Sequence, residues 1–296
     1  MKLKELNRDS LLAAKKPLVL DGPMGTYLIE KGIVLKSALW SAEALISHSE
    51  LIKQIHIEYI EAGADIITTN TFRTNPYAIK VSKSKYQSKD LVNIAVNLLK
   101  EAVTEAKKDI IIAGSNAPAE DCYSRKHLID YNEIYDNHYE HIENLISAGV
   151  DFILNETFGD AKEIEIVCKI CKEKNFPFAV SILIDENLKT FFGQDLLATI
   201  KSIYTYKPFF ISLNCSRPEI ILKALNHLIN FHPFGVYPNL GSSSSFSSQK
   251  LVRDFSEQEL KDFVYELINK GTRIIGVCCG GTPKDIKIIR IIIDEL

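Results

Sequence analysis

Three cysteines stand where they could share one ion. Cys215 lies in the segment SLNCS, and the adjacent Cys278 and Cys279 lie in GVCCGGTP. Soft thiolates of this kind select zinc, and three of them leave a fourth tetrahedral position open, the logic of a catalytic rather than a structural site. Consecutive cysteines rarely bond each other because the ring so closed is strained, yet a kink at a strand end can aim both at one ion. Spacing alone leaves a second reading open, in which all three are small buried hydrophobes, since no CxxC pair anchors the set. Two carboxylates, Asp21 in LDGPMGT and Glu156 in LNETF, also follow short apolar runs, as do Asn70, Asn116, Asn214 and Asn239. Of these, Asp21 is read equally well as a turn residue.

Eight apolar runs place these residues: Pro17–Leu20, Ala64–Thr69, Ile110–Gly114, Val150–Leu154, Phe178–Leu183, Pro208–Leu213, Phe234–Tyr237 and Arg273–Val277. Helical periodicity fills the intervals. In Ser49–Ala62, Leu51, Ile55 and Tyr59 recur alongside Ile52 and Ile60 as one stripe. Leu91–Ala106, Tyr131–Ala148, Ala161–Lys174, Leu196–Tyr204, Pro218–Asn230, Glu257–Asn269 and Pro283–Leu296 follow the same rule. Continuous apolar strands alternating with amphipathic helices predict a parallel sheet, and eight repeats predict its closure into a single (β/α)8 TIM barrel. A doubly wound open sheet is the alternative. No linker divides the chain, so residues 1–296 are expected to form one domain. The Gly241–Ser248 run, GSSSSFSS, reads as a mobile loop beside the site. Residues just past barrel strands line the mouth, so the thiols and both carboxylates converge there.

The 296 residues are 46% hydrophobic and 25% charged, with a formal charge of −3, which gives no electrostatic case for nucleic acid or an anionic membrane. The apolar run Leu11–Ala14 is too short for a signal-peptide core, and no stretch nears the roughly 18 apolar residues of a membrane span. A cytoplasmic protein acting on small molecules is expected.

Taken in order, LDGPMGT, LWS, AGADIITTNTF, NETF, LNCS, YPN and GVCCGGTP resemble the homocysteine S-methyltransferase family, from about Val19 to Pro283. The resemblance implies a (β/α)8 barrel, zinc as the metal, and Cys215, Cys278 and Cys279 as its ligands. Homocysteine would be the methyl acceptor, bound through sulfur as the fourth ligand. Asp21 and Glu156 would meet its ammonium, with Gly22, Asn214 and Asn239 lining the substrate. Its carboxylate is expected on the backbone amides of Gly280, Gly281 and Thr282, where glycines permit close approach and Thr282-Pro283 opens a helix. Trp40, the one tryptophan, stands in LWS, near where related enzymes place a tryptophan beside the donor. An indole face gains roughly 0.5–2 kcal/mol from a cation, which suits S-methylmethionine, S-adenosylmethionine or a betaine. The alternative is that Trp40 packs beneath its loop.

YPN and LWS resemble the stand-alone enzymes that use S-methylmethionine or S-adenosylmethionine. NTF and FFGQD, around Gly193-Gln194, resemble the homocysteine module of cobalamin-dependent methionine synthase. No region remains beyond the barrel for folate or corrinoid, so the partners expected are homocysteine and a small soluble donor. A homocysteine-activating module fed by a separate methylcorrinoid or methylfolate protein is the alternative; a homo-oligomer and selenohomocysteine as acceptor are left open. An aldolase is disfavoured, because no barrel strand offers a lysine for a Schiff base. Cys168 and Cys171 share the apolar stripe of their helix with Ile164 and Val167 and read as core, while Cys122 stands alone in a loop. His138 and His141, among Tyr and Glu neighbours, read as a solvated helix face.

Overall fold

The computed structural model describes residues 7–243 and 251–296. Parallel strands β1 (Leu18–Val19), β2 (Ile66–Thr68), β3 (Ile111–Asn116), β4 (Phe152–Phe158), β5 (Phe178–Ile182), β6 (Ile211–Asn214) and β7 (Phe234–Tyr237) are followed by a two-stranded antiparallel ribbon, β8 (Gly241–Ser243) with β9 (Leu251–Arg253). The last barrel strand is β10 (Ile274–Ile275). Neighbours run in the order β1-β10-β7-β6-β5-β4-β3-β2. A parallel bridge between Leu20 and Ile66 joins the two ends. The eight-stranded barrel is therefore the fold, and the open sheet is excluded because its edges meet.

The closing seam is short, and aspartates supply the acceptors that backbone cannot. Val19 N–H donates to Asp65 Oδ2 at 2.8 Å, and Arg290 Nη1 lies 3.2 Å from the same oxygen. One turn of chain higher, Thr68 N–H donates to Asp21 Oδ2 at 2.9 Å. Asp21 thus fastens β1 to β2 as well as facing the mouth.

Inside the barrel, Leu20, Ile66, Ile111, Phe152, Leu154, Phe210 and Ile274 form one apolar cluster, joined by Leu11 from the helix Arg8–Ala13. Arg8 Nη2 donates to the His232 carbonyl at 3.0 Å, just before β7, so this helix caps the N-terminal face and leaves the opposite face for chemistry. Phe152 packs against Phe209 and Phe210 with ring centroids 6.0 and 6.1 Å apart. The larger core lies between barrel and helices. The helix Ser49–Ala62 buries Ile52, Ile55, Tyr59 and Ile60 there and ends at Gly63, whose φ of +105° turns the chain back toward β2. Cys168 and Cys171 are fully buried in this core, as the stripe predicts.

Three readings are corrected. The Pro218–Asn230 helix stops at Ala224 and continues as a 3-10 turn over Leu225–His227, which keeps Leu225 and Leu228 buried. Of the expected mobile run, Gly241–Ser243 is paired strand, and residues 244–248 lie outside the described residues. His138 and His141 are fully buried rather than solvated. They belong to the stripe Ile134, His138, His141, Ile142, Leu145, and their rings are satisfied from other elements. His141 Nδ1 and Nε2 reach Asn116 Oδ1 at 2.8 Å and Thr74 Oγ1 at 2.9 Å, while His138 Nε2 lies 2.9 Å from Glu163 Oε1. Burial, and secondarily the neighbouring His138, lowers His141 to about 3, so its ring stays neutral. No helix among the described residues is long and apolar enough to cross a membrane.

The interior cluster sets a first prediction. Phe152→Ala is expected to cost about 3–5 kcal/mol, because the barrel cannot collapse around the lost ring. Denaturant titration should show a lower midpoint with an unchanged slope; a cost under about 1 kcal/mol would mean the interior is not packed as described.

Candidate metal centre

Cys215 directly follows β6 and adopts a left-handed backbone, φ +54°, that sends the chain sideways out of the barrel. Its N–H donates to the Tyr237 carbonyl at 3.1 Å, tying it to β7. Cys278 N–H donates to the Pro238 carbonyl at 2.7 Å, and the Cys279 carbonyl accepts from Leu240 N–H at 2.8 Å. The next turn must be tight. Gly280 has φ +79°, and a Cβ on Gly281 would fall 2.3 Å from Val277 Cγ2.

The three sulfurs lie within 4.8 Å of one another, with Cys215 and Cys279 3.7 Å apart. Ligands at the 2.3 Å zinc–sulfur bond length stand roughly 3.8 Å apart on a tetrahedron. All three thiols are free, so a soft, tetrahedral ion fits the donor set. Hydrogen bonds from Cys278, then Cys279, hold the Cys215 thiol well below its ordinary range. Pairing with Cys215 pushes Cys278 and Cys279 well above theirs. One thiolate forms readily; three together require a cation.

Beside them, Asp21 is buried with Thr68 Oγ1 3.1 Å from its Oδ2, and Glu156 accepts a short hydrogen bond from Ser115 Oγ. Burial raises both carboxyls, Glu156 to about 7, and Glu156 raises Asp21 further. Among the described residues neither has a basic partner. Glu156 precedes a second left-handed residue, Thr157, φ +65°, at a break in the β4–β5 register. Asn214 holds that kink: its Oδ1 accepts from Thr157 N–H at 3.1 Å and its Nδ2 donates to Thr157 Oγ1 at 2.8 Å.

The homocysteine S-methyltransferase family model matches residues 18–293. The chain belongs to the homocysteine S-methyltransferase family. It is a methyltransferase. It is 29% identical to homocysteine S-methyltransferase of Escherichia coli strain K12, covering 95% of this chain and 96% of that one. With homocysteine S-methyltransferase 3 of Zea mays the identity is 28%, covering 94% and 90%. The crystal structure of the Escherichia coli homocysteine methyltransferase MmuM in its metallated form aligns with a TM-score of 0.81 at 27% identity, covering 95% and 98%. Its oxidized form aligns at 0.82, also at 27%, covering 96% and 98%.

The remaining family-implied positions fall into two groups. The amides of Gly280, Gly281 and Thr282 are already donated, to Thr26 Oγ1 (3.2 Å), the Cys278 carbonyl (3.0 Å) and Asp285 Oδ2 (2.8 Å). The amides of the expected carboxylate cradle are therefore engaged within the protein, one by Thr26 from an earlier helix, and the Thr282–Asp285 capping box competes for the helix start. Asn239 turns its Oδ1 to Gly241 N–H at 3.0 Å, bracing its own loop. Gly22 makes room for Tyr59, whose ring atoms would lie 2.7 Å from a Cβ there. Trp40 starts a 3-10 turn with φ +50° and packs on Gly25, where a Cβ would come 2.2 Å from Nε1. That puts the indole one residue from Thr26 and hence beside the Gly280 turn. Sequence reasoning missed Thr26, Ser115, Thr68 and Tyr123, the last with its hydroxyl 3.1 Å from Cys215 Sγ. Thr68 and Ser115 stand in the strands themselves, on β2 and β3, a position that could have flagged them; Tyr123 had no such signal.

The Glu156 shift yields a second prediction. Its folded value near 7 exceeds the ordinary 4.5, so the folded protein keeps this proton that the unfolded chain releases. Stability is then full at acidic pH and is lost as pH rises through 7. Glu156→Gln is expected to stabilise the ligand-free protein on the order of 2–3 kcal/mol at pH 8 and hardly at pH 4.5. Denaturant titrations at both values check this; a gain independent of pH would refute the burial argument.

Proposed function

We propose that this enzyme methylates homocysteine to methionine, using a small sulfonium donor and a zinc ion held by Cys215, Cys278 and Cys279. The observation that carries the reading is the juxtaposition of three free thiols within 4.8 Å with two carboxylates, Asp21 buried and Glu156 half-buried, that have no basic partner among the described residues. The relatives' names support the acceptor, and the metallated form of MmuM supports a metal.

A free thiol with a pKa near 8.5 is only a few per cent ionised at neutral pH, and the thiolate is the nucleophile. Zinc in this site would supply a Lewis acid that keeps the acceptor sulfur ionised, while three thiolate ligands keep it electron-rich. The chain's own residues do the rest. Asp21 and Glu156 take the homocysteine ammonium, whose positive charge draws both carboxyls back into their ionised form. Ser115 and the Asn214–Thr157 pair fix the direction of Glu156. Held at both ends, the acceptor sulfur is aligned for in-line attack. The new sulfur–methyl bond forms as the donor's sulfur–methyl bond breaks, and the donor departs as a neutral thioether. Trp40 offers its face to the cationic donor.

Metal analysis of protein purified without chelators is expected to find about one zinc per chain. Replacement of any one of Cys215, Cys278 or Cys279 by Ser should abolish turnover, whereas Asp21→Asn and Glu156→Gln should keep zinc and raise the Michaelis constant for homocysteine. Active, zinc-free protein would reject the metal assignment.

A donor panel assayed for methionine decides the other half. S-methylmethionine or S-adenosylmethionine should support turnover by the chain alone, and Trp40→Leu should raise the Michaelis constant for the donor more than for homocysteine. Turnover only with methylcobalamin or a methylated corrinoid protein would favour the partner-fed module instead.

A further inference from the structure

The loop from Ala117 to Asp130, between β3 and the helix Tyr131–Ala148, reaches across to the metal centre. Tyr123 Oη lies 3.1 Å from Cys215 Sγ, and its ring meets Phe191 edge-on with centroids 6.1 Å apart. The loop is anchored on both sides of that contact. Arg73 Nη1 donates to the carbonyls of Pro118, at 3.4 Å, and of Glu120. His127 bridges Glu120 Oε2 at 3.1 Å and Asp160 Oδ2 at 3.2 Å, and its ring packs at a tilt against Phe192 with centroids 4.8 Å apart. So many ties from separate segments fix the loop far more firmly than an ordinary connection needs.

The three cysteines are therefore unequal. Cys278 and Cys279 are consecutive, partly exposed and stitched through backbone to Pro238 and Leu240. Cys215 comes alone from β6, sits in a left-handed conformation, and is buried at 7% exposure. Metal ligands are oriented by the groups that hydrogen-bond to them, and loss of such a partner commonly costs 10–100-fold in metal affinity.

We infer that Tyr123 is a positioning residue for Cys215: its phenol holds and covers this one ligand sulfur, and the His127 clasp holds the phenol in place. The inference rests on the zinc reading for its role in the reaction. A metal-bound thiolate carries no proton, so the phenol is the donor. The hydrogen bond draws electron density from Cys215 Sγ and blocks its outer side. An electrophilic methyl group entering the mouth then meets a blunted Cys215 and an unhindered acceptor sulfur.

The test uses the full chain loaded with one equivalent of zinc. Tyr123→Phe is expected to speed zinc transfer to an excess of chelator about tenfold. Residue-resolved mass spectrometry with iodoacetamide should show Cys215 alkylated about tenfold faster, with Cys278 and Cys279 unchanged. His127→Ala, which leaves the phenol intact, should move both readouts in the same direction by about threefold. Changes under twofold for Tyr123→Phe would overturn the proposal. So would equal acceleration at all three cysteines, the mark of a loop that merely covers the site. The same alkylation series on metal-free protein separates the two readings: a chain that binds no zinc sinks the metal assignment, while selective acceleration at Cys215 there still upholds the contact.

Discussion

Acids crowded into one poorly solvated place set the terms for this structure. Three thiols and two carboxylates share the barrel mouth, and burial there is enough to carry Glu156 to about 7. Two unit charges 4 Å apart at an effective dielectric of 20 repel by about 4 kcal/mol, so the fully ionised set is not stable by itself. Without a cation, burial and mutual repulsion favour protons on the two carboxyls and on Cys278 and Cys279, and Cys215 is the one group that ionises readily. On the proposed function two cations would replace those protons: a metal among the sulfurs and an ammonium between Asp21 and Glu156. Affinity for both would follow from the same crowding that makes like charges costly there.

A scaffold that confines like charges must be stiff, and the barrel provides this by covalent direction rather than by local attraction. Asp21 lies just past β1, Glu156 near the end of β4, Cys215 directly after β6, and Cys278 and Cys279 in the turn that follows β10. Three side-chain-bearing residues near the site, Trp40, Thr157 and Cys215, adopt left-handed backbone conformations, each costing of order 1–2 kcal/mol. For Thr157 the cost is offset by Asn214, whose amide meets both its N–H and its hydroxyl. Strain at these positions aims Glu156 and Cys215 inward, which unstrained strand ends would not do.

The barrel was legible because it follows from periodicity, and the clustering of the three cysteines because they lie at the ends of two apolar runs. Eight apolar runs separated by helical stripes leave few other topologies, and Cys215, Cys278 and Cys279 stood directly after two of them. What failed to read was polarity in the wrong context. His138 and His141 lay in an apolar stripe with Ile134, Ile142 and Leu145, but neighbouring Tyr and Glu residues disguised it. The amides at Gly280–Thr282 looked free, although Thr282 and Asp285 already spelled a capping box that consumes one of them. Tyr123 was invisible, since a loop residue has no period and its meaning lies only in what it touches 92 positions away.

Charge also explains why such a site would let its products go. On the proposed reaction, the donor enters as a sulfonium, attracted by an acidic mouth and by the indole face of Trp40. The acceptor would be kept ionised by the Lewis acid that Cys215, Cys278 and Cys279 would hold. Transfer of one methyl group removes the positive charge from the donor and the negative charge from the acceptor in the same step. The donor product loses its attraction to the indole, and a thioether is a far weaker zinc ligand than a thiolate. Only the ammonium contact with Asp21 and Glu156 survives the reaction unchanged. Release of methionine would therefore follow from the lost sulfur contact, the ammonium pair with Asp21 and Glu156 being the one tie left to break.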